Sequence, residues 1–224
     1  TLTVAVYMSY GFVPDPVFIW TTGNNGLLGS MLALLFIAMG LGGWWLDREA
    51  WHKQGWILRQ AGRSPTDFVD QAGMGPTLLN MGLTGALGTA YVLAVGSDLN
   101  GPTVGAIFTI VGFSAFGKHP RNIVPIMLGV FIASMLKDWS ADDPSAVLAA
   151  LFGTTLAPIA GRFGWRWGIV AGFVHSSVAQ TVGQLHGGLV LYNNGFAAGL
   201  VAAILVPVII ALQPVAKPGP GAPR

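Results

Sequence analysis

Cysteine is absent from the 224 residues, which excludes disulfides and thiolate chemistry. Charge is scarce: Asp, Glu, Lys and Arg together make up 9% of the chain, against about 25% in a soluble domain. The net charge is only +2, so there is no strongly basic face, and nucleic acid is not an expected partner. No carboxylate lies in the middle of an apolar run, and the four histidines are far apart. No GxSxG, HExxH or Walker-type loop occurs. Ser176-Ser177 beside His175 lacks an acidic neighbour, so hydrolase chemistry has no support. No metal, cofactor or catalytic residue is expected, and the chain is read as a non-enzyme.

What is present is apolar surface and glycine. Hydrophobic residues make up 53%, and there are 32 glycines. That balance places the chain in a bilayer, where small residues let helix backbones approach closely. Two segments are long enough to span, 26–46 and 74–96, given a requirement of about 20 apolar residues. Between them, residues 47–73 are polar and amphipathic, a loop or surface helix. Shorter apolar pieces follow at 102–117, 122–136, 145–160 and 167–183, and a last span at 196–213. The expected fold is an all-α polytopic membrane protein of six to seven transmembrane or half-membrane helices. Its helical membrane domain runs over 26–213. No basic stretch precedes an apolar run at the start, so no secretory leader is expected. TLTVAVYMSY (1–10) reads as the end of a helix that begins earlier, 1–25 as that end plus an outer loop, and the Pro/Gly-rich tail 214–224 as disordered.

The basic residues set an orientation. If every piece crosses, one side holds Arg48, Lys53, Arg59, Arg63, Lys118, Arg121, Arg162, Arg166, Lys217 and Arg224, and the other only Lys137. Basic residues gather on the cytoplasmic side of membrane proteins. The alternative for 102–117 and 122–136 is a re-entrant hairpin, which moves only Lys118 and Arg121 into the membrane. Crossing is the favoured reading.

One device recurs. NNG occurs at Asn24-Asn25-Gly26 and at Asn193-Asn194-Gly195, and a third Asn-Gly at Asn100-Gly101. Each precedes an apolar stretch with an early glycine (Gly29, Gly199 and Gly105). Asn is a strong N-cap, and glycine permits a sharp turn. A helix start exposes unpaired N–H groups and partial positive charge, which a bilayer tolerates only inside protein or beside a wet cavity. Transporters built from repeated halves place such broken-helix ends at their substrate site. The pattern is compatible with an internal repeat, and QLHGGLVLYNNGFAAG (184–199) reads as a polar hinge delivering a capped helix start. The plainer reading of each copy is a turn and cap at a span end.

Three further positions carry polar chemistry. GKHPRN (117–122) gathers Lys118, His119 and Arg121 beside Pro120; it is either an anion-attracting site or an ordinary basic turn. His175 falls inside the 167–183 piece, either lining a pathway or bonded to a neighbouring helix. His186 precedes the Gly187-Gly188 pair, where backbone can approach a ligand.

GFSAFGKHPRNIVPIMLGV (112–130), APIAGRFGW (157–165) and QLHGGLVLYNNGFAAGLVAAILVP (184–207) resemble the bacterial membrane family DUF1576, whose function is unknown. The resemblance covers most of 74–213. It implies a bacterial membrane protein of several helices, with this chain matching the later half of longer members, and supplies no activity or site residue.

The functional expectation is a transporter or channel-like protein for a small polar or anionic solute, in the bacterial inner membrane. Its pathway is placed near Asn193, Asn194, Gly195, His175, His186, Asn100, Gly101, Lys118 and His119. The alternative is a non-transporting subunit of a larger membrane assembly, with a pigment or haem on His175. Expected partners are the bilayer, a small-molecule or ion solute, and further copies or chains of a complex.

Overall fold

A computed structural model describes residues 20–63, 65–182 and 190–212, with side chains in the last stretch from 194 onward. Among the described residues the chain is all helical. In order come α1 (Asn25–Leu46), α2 (Ala50–Ile57), α3 (Phe68–Ala72), α4 (Met74–Ala94), α5 (Gly101–Phe113) and α6 (Pro120–Leu136). There follow α7 (Pro144–Gly153), a 3₁₀ turn (Thr154–Leu156), α8 (Ala157–Phe163), α9 (Trp165–Val182) and α10 (Val190–Leu212). Asn25–Leu46, Met74–Ala94, Pro144–Phe163 and Asn194–Leu212 are long and apolar enough to cross a membrane. The chain is an all-α membrane protein.

The helices are packed by what their surfaces lack. Burying apolar side chains gives little advantage when lipid is equally apolar, so close backbone approach has to supply the attraction. A Cβ at Gly129 on α6 would collide with the Ile169 carbonyl of α9, and one at Gly172 on α9 with the Ile126 carbonyl of α6. The two helices run parallel and touch backbone to backbone. Helices α1 and α4 meet similarly: a Cβ at Gly43 would lie 2.8 Å from the Leu79 nitrogen. The outer face of α1 stays exposed, with Leu34, Leu41 and Trp45 among its uncovered side chains.

The bundle has two distinct ends. At one, Asn24 caps α1 by accepting from the Leu27 N–H at 2.9 Å, and Asn100 caps α5 in a reciprocal box with Thr103. These two Asn-Gly starts are tied together. Asn25 Oδ1 accepts from the Leu99 N–H at 2.7 Å, its amide donates to Asp98 Oδ1 at 3.2 Å, and the Asn24 N–H donates to the Leu99 carbonyl. At the other, basic end, segment 58–63 lies as a strap over the turn 114–119. Gly62 (φ 70°) and Gly117 (φ 114°) face each other so tightly that a Cβ on Gly117 would sit 2.9 Å from Gly62 Cα.

The polar segment 47–73, read as a loop or surface helix, carries two short helices. The sequence reading needs two adjustments here. The second NNG does not start a helix: α10 begins at Val190 and runs through Asn193, Asn194 and Gly195. The strong apolar run beyond carries helical geometry back across the polar pair, so the capped-start reading of 193–195 is corrected. The break in a span occurs instead at Thr154–Leu156. The preceding-helix assignment for 1–19, the hinge residues 184–189 and the tail 214–224 lie outside the described residues.

Candidate functional site

The turn 114–119 joins α5 to α6 and reaches the basic end, where the Phe68 N–H donates to the Ala115 carbonyl. Yet the turn is not the solvated loop that a plain basic turn implies. Lys118 is 7% exposed and His119 1%. The strap and a polar clamp from α4 enclose it. Asn80, buried within α4, donates through Nδ2 to the Ser114 and Lys118 carbonyls, both at 2.8 Å. Its Oδ1 accepts from Gln54 Nε2 at 2.9 Å. Buried turn carbonyls require such partners, and one asparagine serves two of them.

The clamp aims the Lys118 side chain inward. Its Nζ donates to Thr154 Oγ1 at 2.8 Å and lies 5.1 Å from the Phe113 ring centroid. Thr154 passes its own proton to the Leu151 carbonyl at 2.6 Å, so its lone pair is what meets the ammonium. Thr154 opens the 3₁₀ turn halfway along Pro144–Phe163, about 15 Å from either end at 1.5 Å per residue. An ammonium has three donors, and among the described residues only one is used. Among the described residues the one ion pair is Lys53–Asp47 at 2.7 Å, outside this region; Lys118 has no carboxylate. Burial pulls the Lys118 ammonium down to about 7, because low dielectric disfavours the charged form.

The same break receives a second polar group from its other side. His175, on α9, is fully buried. Its Nε2 lies 3.2 Å from Asn194 Oδ1 on α10, and its ring packs so closely on Gly153 that a Cβ there would sit 2.7 Å from Cδ2. Consecutive residues Gly153 and Thr154 thus contact His175 and Lys118. Four elements converge: the turn 114–119, the α7 break, α9 and α10. A mid-span 3₁₀ stretch commonly marks a hinge.

The expected site residues therefore divide. Lys118, His175 and Asn194 are brought to one region of buried polarity. His119 turns to the strap, its Nε2 2.9 Å from the Gln60 carbonyl, where burial and neighbouring Arg121 lower its tendency to protonate. Asn100 and Gly101 sit at the opposite end as a cap, the Gly101 N–H donating to the Trp20 carbonyl at 3.0 Å, and take no part in the buried site. Gly195 is exposed on α10. Asn193 lies in the α10 backbone, its side chain beyond the described atoms, and His186 lies outside the described residues. Sequence reasoning missed Asn80 and Thr154. Asn80 left a signal, an amide alone in the apolar run LLNMGL, of the kind that membrane helices keep for a purpose. Thr154, beside Thr155 in FGTTLAP, gave none that separates it from an ordinary helical threonine.

Two apolar grooves run along the sides of the bundle, one lined by Phe36, Trp44 and Leu79, the other by Tyr91, Met127 and Phe131. Neither includes Lys118 or His175 among its lining residues. A family model described as "Protein of unknown function (DUF1576)" matches residues 46–211. No curated protein and no solved structure matches the chain.

Proposed function

We propose, from the premise that this chain belongs to the DUF1576 family, that it is a non-enzymatic transporter or channel-like protein for a small anionic or polar solute. The proposed setting is the bacterial inner membrane, with several crossings and the basic end facing the cytoplasm. The observation that carries the reading is the buried Lys118 amine, directed at a helix break and with no carboxylate partner among the described residues. A buried charge costs several kcal/mol unless it is compensated. A purely structural position gains nothing from it, since methionine fills similar volume without that cost. An anion arriving beside Thr154 supplies the missing charge and takes up the unused donors. His175 and Asn194 supply the neutral polar lining opposite, and the 3₁₀ turn supplies a place where the span can bend.

The test is ligand binding by purified protein, read as thermal stabilisation by chloride, acetate and inorganic phosphate in turn. At least one is expected to stabilise the native chain with an affinity that Lys118→Met weakens tenfold or more. Stabilisation identical in the two proteins removes Lys118 from the site.

A further inference from the structure

The Lys118 amine is enclosed, yet a solute has to reach it. Neither lateral groove includes Lys118, so part of its cover has to move. On the side of the bundle the cover is fixed. Asn80 holds the turn by two carbonyls and is itself bonded to Gln54. At the basic end the cover is the strap 58–63, and its attachment is of another kind.

Among the described residues, no backbone hydrogen bond joins the strap to the turn or to α8. The N–H groups of Leu58, Arg59 and Gln60 donate back into α2, and the Gln60 amide folds back to the Trp56 carbonyl at 3.1 Å. One side-chain bond crosses over, from His119 Nε2 to the Gln60 carbonyl at 2.9 Å. The other attachments are glycine contacts. Gly62 meets Gly117 of the turn, and a Cβ on Gly161 of α8 would lie 2.8 Å from the Ala61 carbonyl carbon. Such contacts hold only while the two backbones stay close, because dispersion attraction is lost across a gap of about 1 Å. A hollow of about 180 Å³ lies beside the strap, lined by Leu58, Gln60, His119, Gly161, Gly164 and Trp165 among others. It leaves the strap room that a close-packed interior denies.

Of the strap's supports, α8 has a hinge behind it. It continues Pro144–Phe163 past the 3₁₀ turn, at the same break where Thr154 meets Lys118. Hinges are a few element-terminal residues that absorb the change in backbone angle. A bend at this one carries Gly161, and with it the surface on which Ala61 rests. We propose that the strap is the lid of the Lys118 site at the basic end, lifting as α8 swings about the 3₁₀ turn. This rests on the transport reading above and adds to it the side from which the site opens.

The test is side-resolved acylation, read lysine by lysine by mass spectrometry. A membrane-impermeant acetylating reagent is added to sealed vesicles of each orientation. Lys53, with its side chain 43% exposed, reports the basic face. Lys137, just past the far end of α6, reports the opposite one. Lys118 is expected to react from the Lys53 face only, tenfold or more slowly than Lys53. Gly62→Ala drives a methyl into the Gly117 carbonyl at φ 70°, and Gly161→Ala drives one into Ala61. Each is expected to speed Lys118 fivefold or more, with Lys53 unchanged. Gly172→Ala is the control for general loosening, since its methyl meets α6 at Ile126 rather than the strap, and is expected to leave Lys118 at the native rate. If Gly62→Ala does not fold, Gly161→Ala decides. The lid is overturned if Lys118 reacts from the Lys137 face or from neither face, if either folded strap variant reacts at the native rate, or if Gly172→Ala speeds Lys118 equally. Anion flux is read in the same vesicles. Acylation as expected without flux supports the lid and refutes the transport reading, whereas Lys118-dependent flux with acylation from the Lys137 face refutes the lid alone.

Discussion

Lys118 is best understood by asking what its removal does. Met in its place keeps the apolar stem and deletes the buried amine. Its stability is predicted to be unchanged or raised, since buried ionic groups are often neutral or costly beside a hydrophobic isostere, while anion binding falls tenfold or more. Parallel melting and binding curves check this, and a matched loss of both makes Lys118 structural. Asn80 is predicted to behave in the opposite way. Asn80→Leu orphans two turn carbonyls and Gln54, at about 1–3 kcal/mol for each buried group left unsatisfied. It therefore lowers the melting temperature more than any change at Lys118. Gly153→Ala drives a methyl into the His175 ring and is predicted to weaken binding without touching Lys118, read in the same titration. At this scale the sequence pointed to Lys118 and His175, because ionisable groups stand out in an apolar chain. That Asn194 would join His175, and Asn100 would not, depended on packing between distant helices, which residue type does not encode.

Among the elements, glycine content was legible in the sequence but its use was not. Gly172 and Gly105 look alike in sequence, each inside an apolar helix. Gly172 is pressed against the Ile126 carbonyl, whereas nothing lies within 4 Å of a Cβ at Gly105. Gly172→Ala is predicted to destabilise by about 1–3 kcal/mol through overpacking. Gly105→Ala is predicted to be neutral or to stabilise by about 0.5–1 kcal/mol, from helix propensity. Unfolding of the two variants in mild detergent checks the contrast, and equal effects refute the packing account of α6 and α9. The Asn-Gly steps teach the same lesson. Asn24 and Asn100 cap as their chemistry suggests, while Asn194 is overridden by the helix around it. Span positions were readable to within a few residues from the apolar runs, because the bilayer leaves few other options. The break at Thr154 was hidden, since TTL carries no strong breaker.

At the scale of the molecule, the buried site joins both halves of the described chain: the turn 114–119 held by α4, and the break held by α9 and α10. Protonation is its natural control. With the Lys118 amine near 7, the ammonium predominates below that pH and the neutral amine above it. Anion affinity is thus predicted to be highest below pH 7 and to fall as pH rises through 7, by up to tenfold per unit. Facing groups do not reverse the sign: Thr154 and Phe113 are neutral, and His119, turned to the strap, only adds positive charge at low pH. The all-helical architecture was visible in hydropathy, whereas the enclosure of the turn by the strap depends on Gly62 meeting Gly117 and leaves no sequence pattern. The measurement that tests the central claim most directly is anion flux into proteoliposomes holding the native chain or Lys118→Met, with chloride, acetate and phosphate each supplied at pH 6 and pH 8. The account predicts flux of at least one anion, faster at pH 6, and reduced tenfold or more by Lys118→Met. Flux of none of the three, or flux indifferent to both pH and Lys118, contradicts it.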